Sequence, residues 1–312
     1  MATADIPWWR LGMNRWRGWR AFVLLSYFSM SLPATANGTD IQVRDDAGQL
    51  IELEQPARRI VALAPFLTEL VFAAGAGDLL VGVSAFSDYP DEARAIPQLG
   101  DAYGLDLERL LSLRPDLVLA WSSGTGAAQI GKLRDLGLTV YVSEPRRLGD
   151  IGSTLERFGA LSGRQHTARA AATEFGAAID ALRARYSGQA PIRVFYELWH
   201  QPWITVGGPH FISDVIALCG GRNAFADVNE LAPVVDAEAV LARDPQVVLV
   251  GAESASDESV RRRWQRWALV SAVREGHVYV VPPELLQRQT TRVVAGATQA
   301  CELIARARQG TR

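Results

Sequence analysis

Lysine is nearly missing from this chain. Lys132 is the only one, so arginine supplies almost all the positive charge. Basic and acidic residues number 32 and 34, which leaves a formal charge of −2. That balance excludes the basic footprint of a nucleic-acid binder. Histidine is scarce as well. His166, His200, His210 and His277 form no i, i+4 pair and have no Cys or carboxylate at ligand spacing, which argues against a buried transition-metal site. There is no G-x-S-x-G elbow, and no serine is followed by an ordered Asp and His pair in a distinctive context. Nothing therefore marks a nucleophilic hydrolase. The apolar run AFVLLSYFSMSL at 21–32 has 12 residues, too short to cross a bilayer. Cysteine is limited to Cys219 and Cys301.

What is present is ample core. Hydrophobic residues make up 48% and charged residues 21% of 312 positions, which rules out a disordered or fibrous chain and allows one large domain or two ordinary ones. Residues 1–36 read as a secretory signal. Arg10, Arg15, Arg17 and Arg20 lead, the apolar run follows, and Ala34-Thr35-Ala36 offers a small-x-small cleavage site. Removing this leader's four Arg and one Asp would take the charge from −2 to −5. With no Cys near the cleavage site to carry a lipid, the expectation is a soluble exported protein, retained in a bacterial periplasm. In that oxidising compartment the two cysteines suit a disulfide, with two separately buried thiols as the alternative. A bridge closing 82 residues would be worth about 4 kcal/mol through loop entropy.

A sixteen-residue phrase occurs twice, 130 positions apart. DLERLLSLRPDLVLAW starts at Asp106 and DAEAVLARDPQVVLVG at Asp236. The frame D-x-E-x-x-L-x-x-x-P-x-x-V-L sets Asp106 against Asp236, Glu108 against Glu238 and Pro115 against Pro245. A fainter echo sets 68–71 (TELV) against 213–216 (SDVI), each with a Gly soon after, Gly75 and Gly220. Two α/β units of like design imply two lobes and a cleft that both line.

The order of elements supports this. A strand-like start at 41–53 leads to buried strand RIVALA (59–64). Helix FLTELVFAAGAG (66–77) follows, with Thr68 as N-cap and Gly75 as stop. Strand LLVGVSAF (79–86), a helix from Asp106, strand DLVLAW (116–121), a helix over 127–136 and strand LTVYVSE (138–144) complete lobe one. The alternation predicts a mostly parallel sheet. Residues 148–186 carry no strand signal, and apolar residues recur at helical spacing from Ala168 to Leu182. They predict one long helix, a stiff spine between lobes that limits opening. Lobe two restarts with strand IRVFYELW (192–199), a short strand WITVG (203–207), helix FISDVIALCGG (211–221), the second repeat copy, strand VYVVPP (278–283) and a closing helix over 291–308.

Three features could carry binding chemistry. The loop Ser122-Ser123-Gly124-Thr125-Gly126 after DLVLAW, with Glu144 twenty residues past Gly124, mimics a dinucleotide fingerprint, but Gln129 holds the third glycine position. A tight strand-to-helix turn explains the loop better. Aromatics gather near strand ends: Phe86, Tyr89 and Trp121 in lobe one, Trp199 and Trp203 around Gln201-Pro202 in lobe two. Beyond the carboxyl ends of parallel strands, such rings make flat walls for a large planar ligand. The 284–292 loop after VYVVPP brings Glu284, Arg288 and Arg292 to the same mouth, where arginine suits carboxylate, phosphate or amide oxygens.

The segments RRIVALAPFLTELVFAAGAGDLLVGVSAFSDYP, LERLLSLRPDLVLAW, LGLTVYV and VIALCGGRNAF, with the terminal helix carrying Cys301, resemble the periplasmic cobalamin-binding proteins of ABC importers. These belong to the helical-spine class that includes haem and siderophore receptors. The resemblance covers nearly all of the chain past 36, and SDYP with PDLVLAW is its more specific part. It implies Tyr89 and Trp121 as lobe-one ligand walls, polar contacts from Glu284 to Arg288, a Cys219–Cys301 disulfide, and Glu238 as a lobe-tip acid that docks on arginines of the permease. The sequence departs from the family at three places. The matching lobe-one acid falls at Ala127, an expected tryptophan at Ala232, and an expected aromatic at Ile204 beside Trp203.

Together these readings predict an α/β protein of two Rossmann-like lobes with mostly parallel sheets, joined by one long α-helix, with the ligand cleft between lobes. The divisions expected are a signal at 1–36, lobes at 37–147 and 189–312, and the spine at 148–188. A corrinoid would be held by Phe86, Tyr89, Trp121, Trp203, Glu284, Leu285, Leu286, Gln287 and Arg288. No metal, cofactor, catalysis, nucleic acid or membrane embedding is expected, and the state is a monomer that meets ABC permease subunits. A haem receptor using Tyr89 or Tyr103, a siderophore receptor, and a secreted nucleotide-binding enzyme using the Gly124 loop are the competing readings.

Overall fold

A computed structural model describes residues 41–101, 104–252 and 257–310. The expected signal and Tyr103 lie outside them. The strand-like start is an antiparallel hairpin of β1 (Ile41–Arg44) and β2 (Leu50–Leu53). Lobe one then runs β3 (Ile60–Ala62), α1 (Pro65–Ala73), β4 (Leu80–Val83), α2 (Leu107–Ser112), β5 (Leu117–Trp121), α3 (Ser122–Thr125), α4 (Ala127–Asp135) and β6 (Val140–Ser143). Helices α5 (Leu148–Ser162) and α6 (Gln165–Tyr186) follow. Next come β7 (Ile192–Glu197), α7 (Phe211–Leu218), β8 (Gly221–Asn223), α8 (Ala237–Arg243), β9 (Val247–Gly251), α9 (Asp257–Trp264), α10 (Ser271–Arg274), β10 (Val278–Val281), α11 (Pro283–Leu286) and α12 (Val293–Gly310).

The two four-stranded sheets are topological twins. Their orders are β4-β3-β5-β6 and β8-β7-β9-β10, and every pair is parallel. The repeated phrase builds the same corner in each. Asp106 caps α2 by accepting from the Arg109 N–H at 2.9 Å, and Asp236 caps α8 by accepting from the Ala239 N–H at 2.7 Å. Such a cap satisfies an orphan donor of the first turn. At the other end Arg59 donates to the Leu113 carbonyl at 2.6 Å, and Arg193 to the Asp244 carbonyl at 2.9 Å, placing cations where the helix dipole is negative. The residue after each repeat proline then pins the first strand: Asp116 accepts from the Arg59 N–H, and Gln246 from the Arg193 N–H.

Central strands feed two cores, because successive side chains leave opposite faces. In β5, Leu117 and Leu119 join the large shared core, while Val118 and Ala120 join lobe one's outer cluster. In β9, Val247 and Leu249 join the shared core, while Val248 and Val250 join lobe two's outer cluster. The shared core includes Leu70, Leu155, Ile179, Ile216 and Ile304, so helices from both halves close over one apolar layer. Each such buried side chain contributes about 1.5–3 kcal/mol. Cys219 and Cys301 form a disulfide with Cα atoms 4.6 Å apart, clipping the end of α7 to α12.

Three local expectations need correction. The stretch from 148 to 186 is two helices: Gly163 takes φ of 73° and ends α5, and α6 restarts two residues later as the long connecting helix. The left-handed conformation that Gly adopts freely stops a helix that composition alone would continue. Thr68 is not an N-cap. Pro65 opens α1 at the first position, where a missing N–H costs nothing, and the buried Thr68 hydroxyl donates to Ser87 Oγ at 3.1 Å. WITVG is not a ladder strand, since only Ile204 makes isolated bridges, to Trp199 and Val234. Sequence reading also passed over β8 and α9, whose short or charged segments give little periodic signal.

Candidate functional site

Both sheets turn their carboxyl ends toward one set of contacts. The order of each sheet reverses direction between its two central strands, and the crevice beyond those ends is where α/β sheets bind ligands. In lobe two this point lies between β7 and β9. A cavity of about 600 Å³ opens there, lined by Glu197, Trp199, His200, Gly251, Arg263 and Gln287 among others. Its floor is polar. Glu197 is 1% exposed. Arg263 Nη2 donates to its Oε1, and the Trp264 indole N–H donates to its Oε2 at 2.8 Å. Burial pushes the Glu197 carboxyl above its ordinary value, and Arg263 and Trp264 only partly offset this. Burial, then Arg263 and Arg266, push His200 below its ordinary value, which favours the neutral ring. Trp199 stands at the rim, 63% exposed.

The lobes are tied by charge. Arg288, just past α11, donates from Nη1 to Glu69 Oε1 at 2.8 Å and to Asp88 Oδ1 at 3.0 Å, and from Nη2 to the Phe86 carbonyl at 3.4 Å. Arg292 reaches Glu69 at 3.4 Å and lies 4.1 Å above the Tyr89 ring centroid. Glu69 sits in α1, buried among apolar neighbours. Burial raises its pKa, and both arginines act against that without cancelling it. Burial also pushes Asp88 up, but Arg288 more than offsets it and holds the carboxyl below its ordinary value.

The expected ligand residues fall into different settings. Phe86 is 72% exposed, with φ of 63°. Tyr89 is exposed and lines a second cavity of about 370 Å³ with Glu69 and Phe72. Trp121 ends β5 half-buried, edge-on to Phe66, and donates its indole N–H to Glu144 at 3.1 Å. Gln287 lines the larger cavity, while Glu284 and Leu285 are half-buried. Two of the expected residues pack within the fold. Leu286 is 1% exposed and belongs to the shared core, because the one-turn helix α11 turns it inward against α12. Trp203 is a packing residue: its ring stacks on Trp264 at 5.2 Å, Trp267 lies 5.5 Å away, and its N–H is given to His200. The dinucleotide reading loses its parts too. Glu144 is spent on Trp121 and on the Ser123 N–H and hydroxyl. A Cβ on Gly124 would lie 2.0 Å from the Trp121 ring, so that glycine makes room for tryptophan.

Residues 60–285 match the family described as periplasmic binding protein. The chain belongs to the periplasmic binding protein family. This periplasmic binding protein is 37% identical over 246 residues to the vitamin B12-binding protein of Vibrio cholerae, covering 79% of this chain and 88% of that one. It is 35% identical over 251 residues to the vitamin B12-binding protein of Yersinia pestis, covering 80% and 88%. Among solved structures, it matches the periplasmic vitamin B12 binding protein BtuF of Vibrio cholerae with a TM-score of 0.75 at 36% identity, over 81% of this chain and 98% of that one. It also matches the periplasmic haem-binding protein RhuT of Roseiflexus sp. RS-1 with a TM-score of 0.69 at 25% identity, over 80% and 99%.

Sequence reasoning missed Glu69, Glu197 and Arg263. The first two carried a signal, since each is an acid inside an apolar run, FLTELVF and VFYELW. A buried acid needs a partner. Arg263 carried none: it is one of three consecutive arginines, 261–263, and only placement distinguishes it.

Proposed function

We propose that this periplasmic binding protein captures cobalamin or a related corrinoid between its lobes and hands it to an ABC importer permease. The observation that carries the reading is the roomy switch-point cavity with the exposed Trp199 at its rim, in a chain whose relatives are named as vitamin B12-binding proteins. Phe86, Tyr89 and Trp121 supply the lobe-one wall, and Glu284, Leu285, Gln287 and Arg288 the polar edge of lobe two. The chain catalyses no reaction and works as a monomer. It reaches the periplasm through a leader at 1–36, and its lobes at 37–147 and 189–312 are held by the helical spine at 148–188. Titration with cyanocobalamin, followed by calorimetry or tryptophan quenching, tests this. Absence of binding at high micromolar ligand overturns it.

Docking uses the twin corners. Glu238 is exposed in the first turn of α8, and the repeat sets Glu108 at the same place in α2, also exposed. Ala127, where the resemblance puts the missing acid, opens α4 after β5, whereas Glu108 holds the repeat position of Glu238 and is taken as its partner. The two carboxylates dock on arginines of the permease. A haem receptor is the second reading, supported by the exposed Tyr89 and the likeness to RhuT. A Soret shift with haemin, lost in Tyr89→Ala, would establish it.

A further inference from the structure

The floor of the larger cavity carries charges that cancel. Arg263 pairs with Glu197, and both Glu197 oxygens are occupied from within the fold. His200 Nδ1 accepts from the Trp203 indole N–H at 2.9 Å, while Glu197 Oε1 lies farther away at 3.4 Å. The closer donor fixes the tautomer, so the ring proton sits on Nε2. Gln287 holds the Tyr196 hydroxyl only weakly, at 3.4 Å. The cavity therefore shows a ligand N–H donors from His200 and Arg263, an amide from Gln287, and no net charge from its Glu197–Arg263 pair.

We propose that Glu197, by closing the charge of Arg263 at the base of this cavity, makes the receptor prefer corrinoids whose peripheral arms end in carboxamides over those whose arms end in free carboxylates. The inference rests on the corrinoid reading and assigns Glu197 as a specificity-determining residue that acts through Arg263. A primary amide brings one acceptor and two donors, which matches a mixed set of N–H groups and an amide oxygen. A carboxylate brings only acceptors and a charge. To enter, it must shed water beside Glu197, and the Arg263 guanidinium on the floor is already neutralised. A buried charge without its own partner is disfavoured far more than a neutral polar group, and unpaired repulsive elements are how sites reject near-isosteres. Without Glu197, the freed arginine would welcome the acid.

The test compares dissociation constants for cyanocobalamin and for its monocarboxylic acid derivative, in which one propionamide is hydrolysed. Calorimetry is run on the wild type, Glu197→Gln and the double variant Glu197→Gln/Arg263→Gln, each checked for native circular dichroism. The wild type should bind the amide at least tenfold more tightly than the acid. Glu197→Gln should shrink that ratio tenfold or more, and the double variant should restore it, since it removes both charges together. A purely structural role for Glu197 would weaken both ligands alike and leave the ratio unmoved. An unchanged ratio in Glu197→Gln, or no amide preference in the wild type, overturns the inference and leaves the corrinoid reading standing. If the wild type binds neither ligand, both fall. Should Glu197→Gln not fold, the double variant decides: retained amide preference supports the inference, and lost preference overturns it.

Discussion

Replacing Arg288 by Met isolates the charge that joins the lobes while keeping the apolar stem. In the wild type the Glu69 side chain is 3% exposed and that of Arg288 is 19% exposed, with 2.8 Å between them. Breaking a fully buried pair by removing one partner costs about 3–5 kcal/mol, because a charge is left stranded. Two facts reduce that here. Arg288 is partly hydrated, and Arg292 remains 3.4 Å from the same oxygen. The expected loss is about 2 kcal/mol, a fall in Tm of about 4 °C for a chain of this size. Glu69→Gln should cost less, under about 1 kcal/mol, because Arg288 keeps Asp88 at 3.0 Å on the wetter side. The pH dependence has a definite sign. Burial already raises the Glu69 pKa above the ordinary 4.5, and removing Arg288 raises it further. A raised carboxyl favours the folded state below that pKa and loses the contribution as pH rises through it. The penalty of Arg288→Met should therefore be largest near pH 7 and shrink on acidification toward pH 5. Urea melts of both single variants and the double, at both pH values, measure this. The reasoning fails if Glu69→Gln costs as much as Arg288→Met, or if the double-mutant coupling is below about 0.5 kcal/mol.

Four further outcomes follow from the same geometry. Cys219→Ala/Cys301→Ala removes a bridge across 82 residues, which should cost about 4 kcal/mol and lower Tm by about 8 °C, read by calorimetric melting. Trp199→Ala should weaken corrinoid binding with a stability change under about 0.5 kcal/mol, because Trp199 is 63% exposed. Trp203→Ala should cost about 2–3 kcal/mol in urea, because its ring packs on Trp264 and Trp267. Reversing Glu108 and Glu238 to Arg should leave corrinoid affinity intact and abolish uptake in vesicles carrying the permease, with either single reversal giving a partial loss.

The architecture was legible because it was written twice. Capping aspartate, helix and buried strand recur at a spacing of 130, and each of those signals is local: a side chain bonding its own backbone three residues on, or apolar residues at a fixed period. The break at Gly163 was harder to read, since helical composition on both sides masks a single glycine.

The sequence by itself determined the twin α/β units, the strands and most of the helices, because these depend on propensity and pattern within about twenty residues. Only the tertiary structure decided which arginine of 261–263 faces Glu197, that Leu286 and Trp203 turn inward, and that Arg288 spans to Glu69. Those choices join residues up to 219 positions apart. They are set by how helices close over a shared core and by the need to neutralise two acids buried in it, and no local period records either.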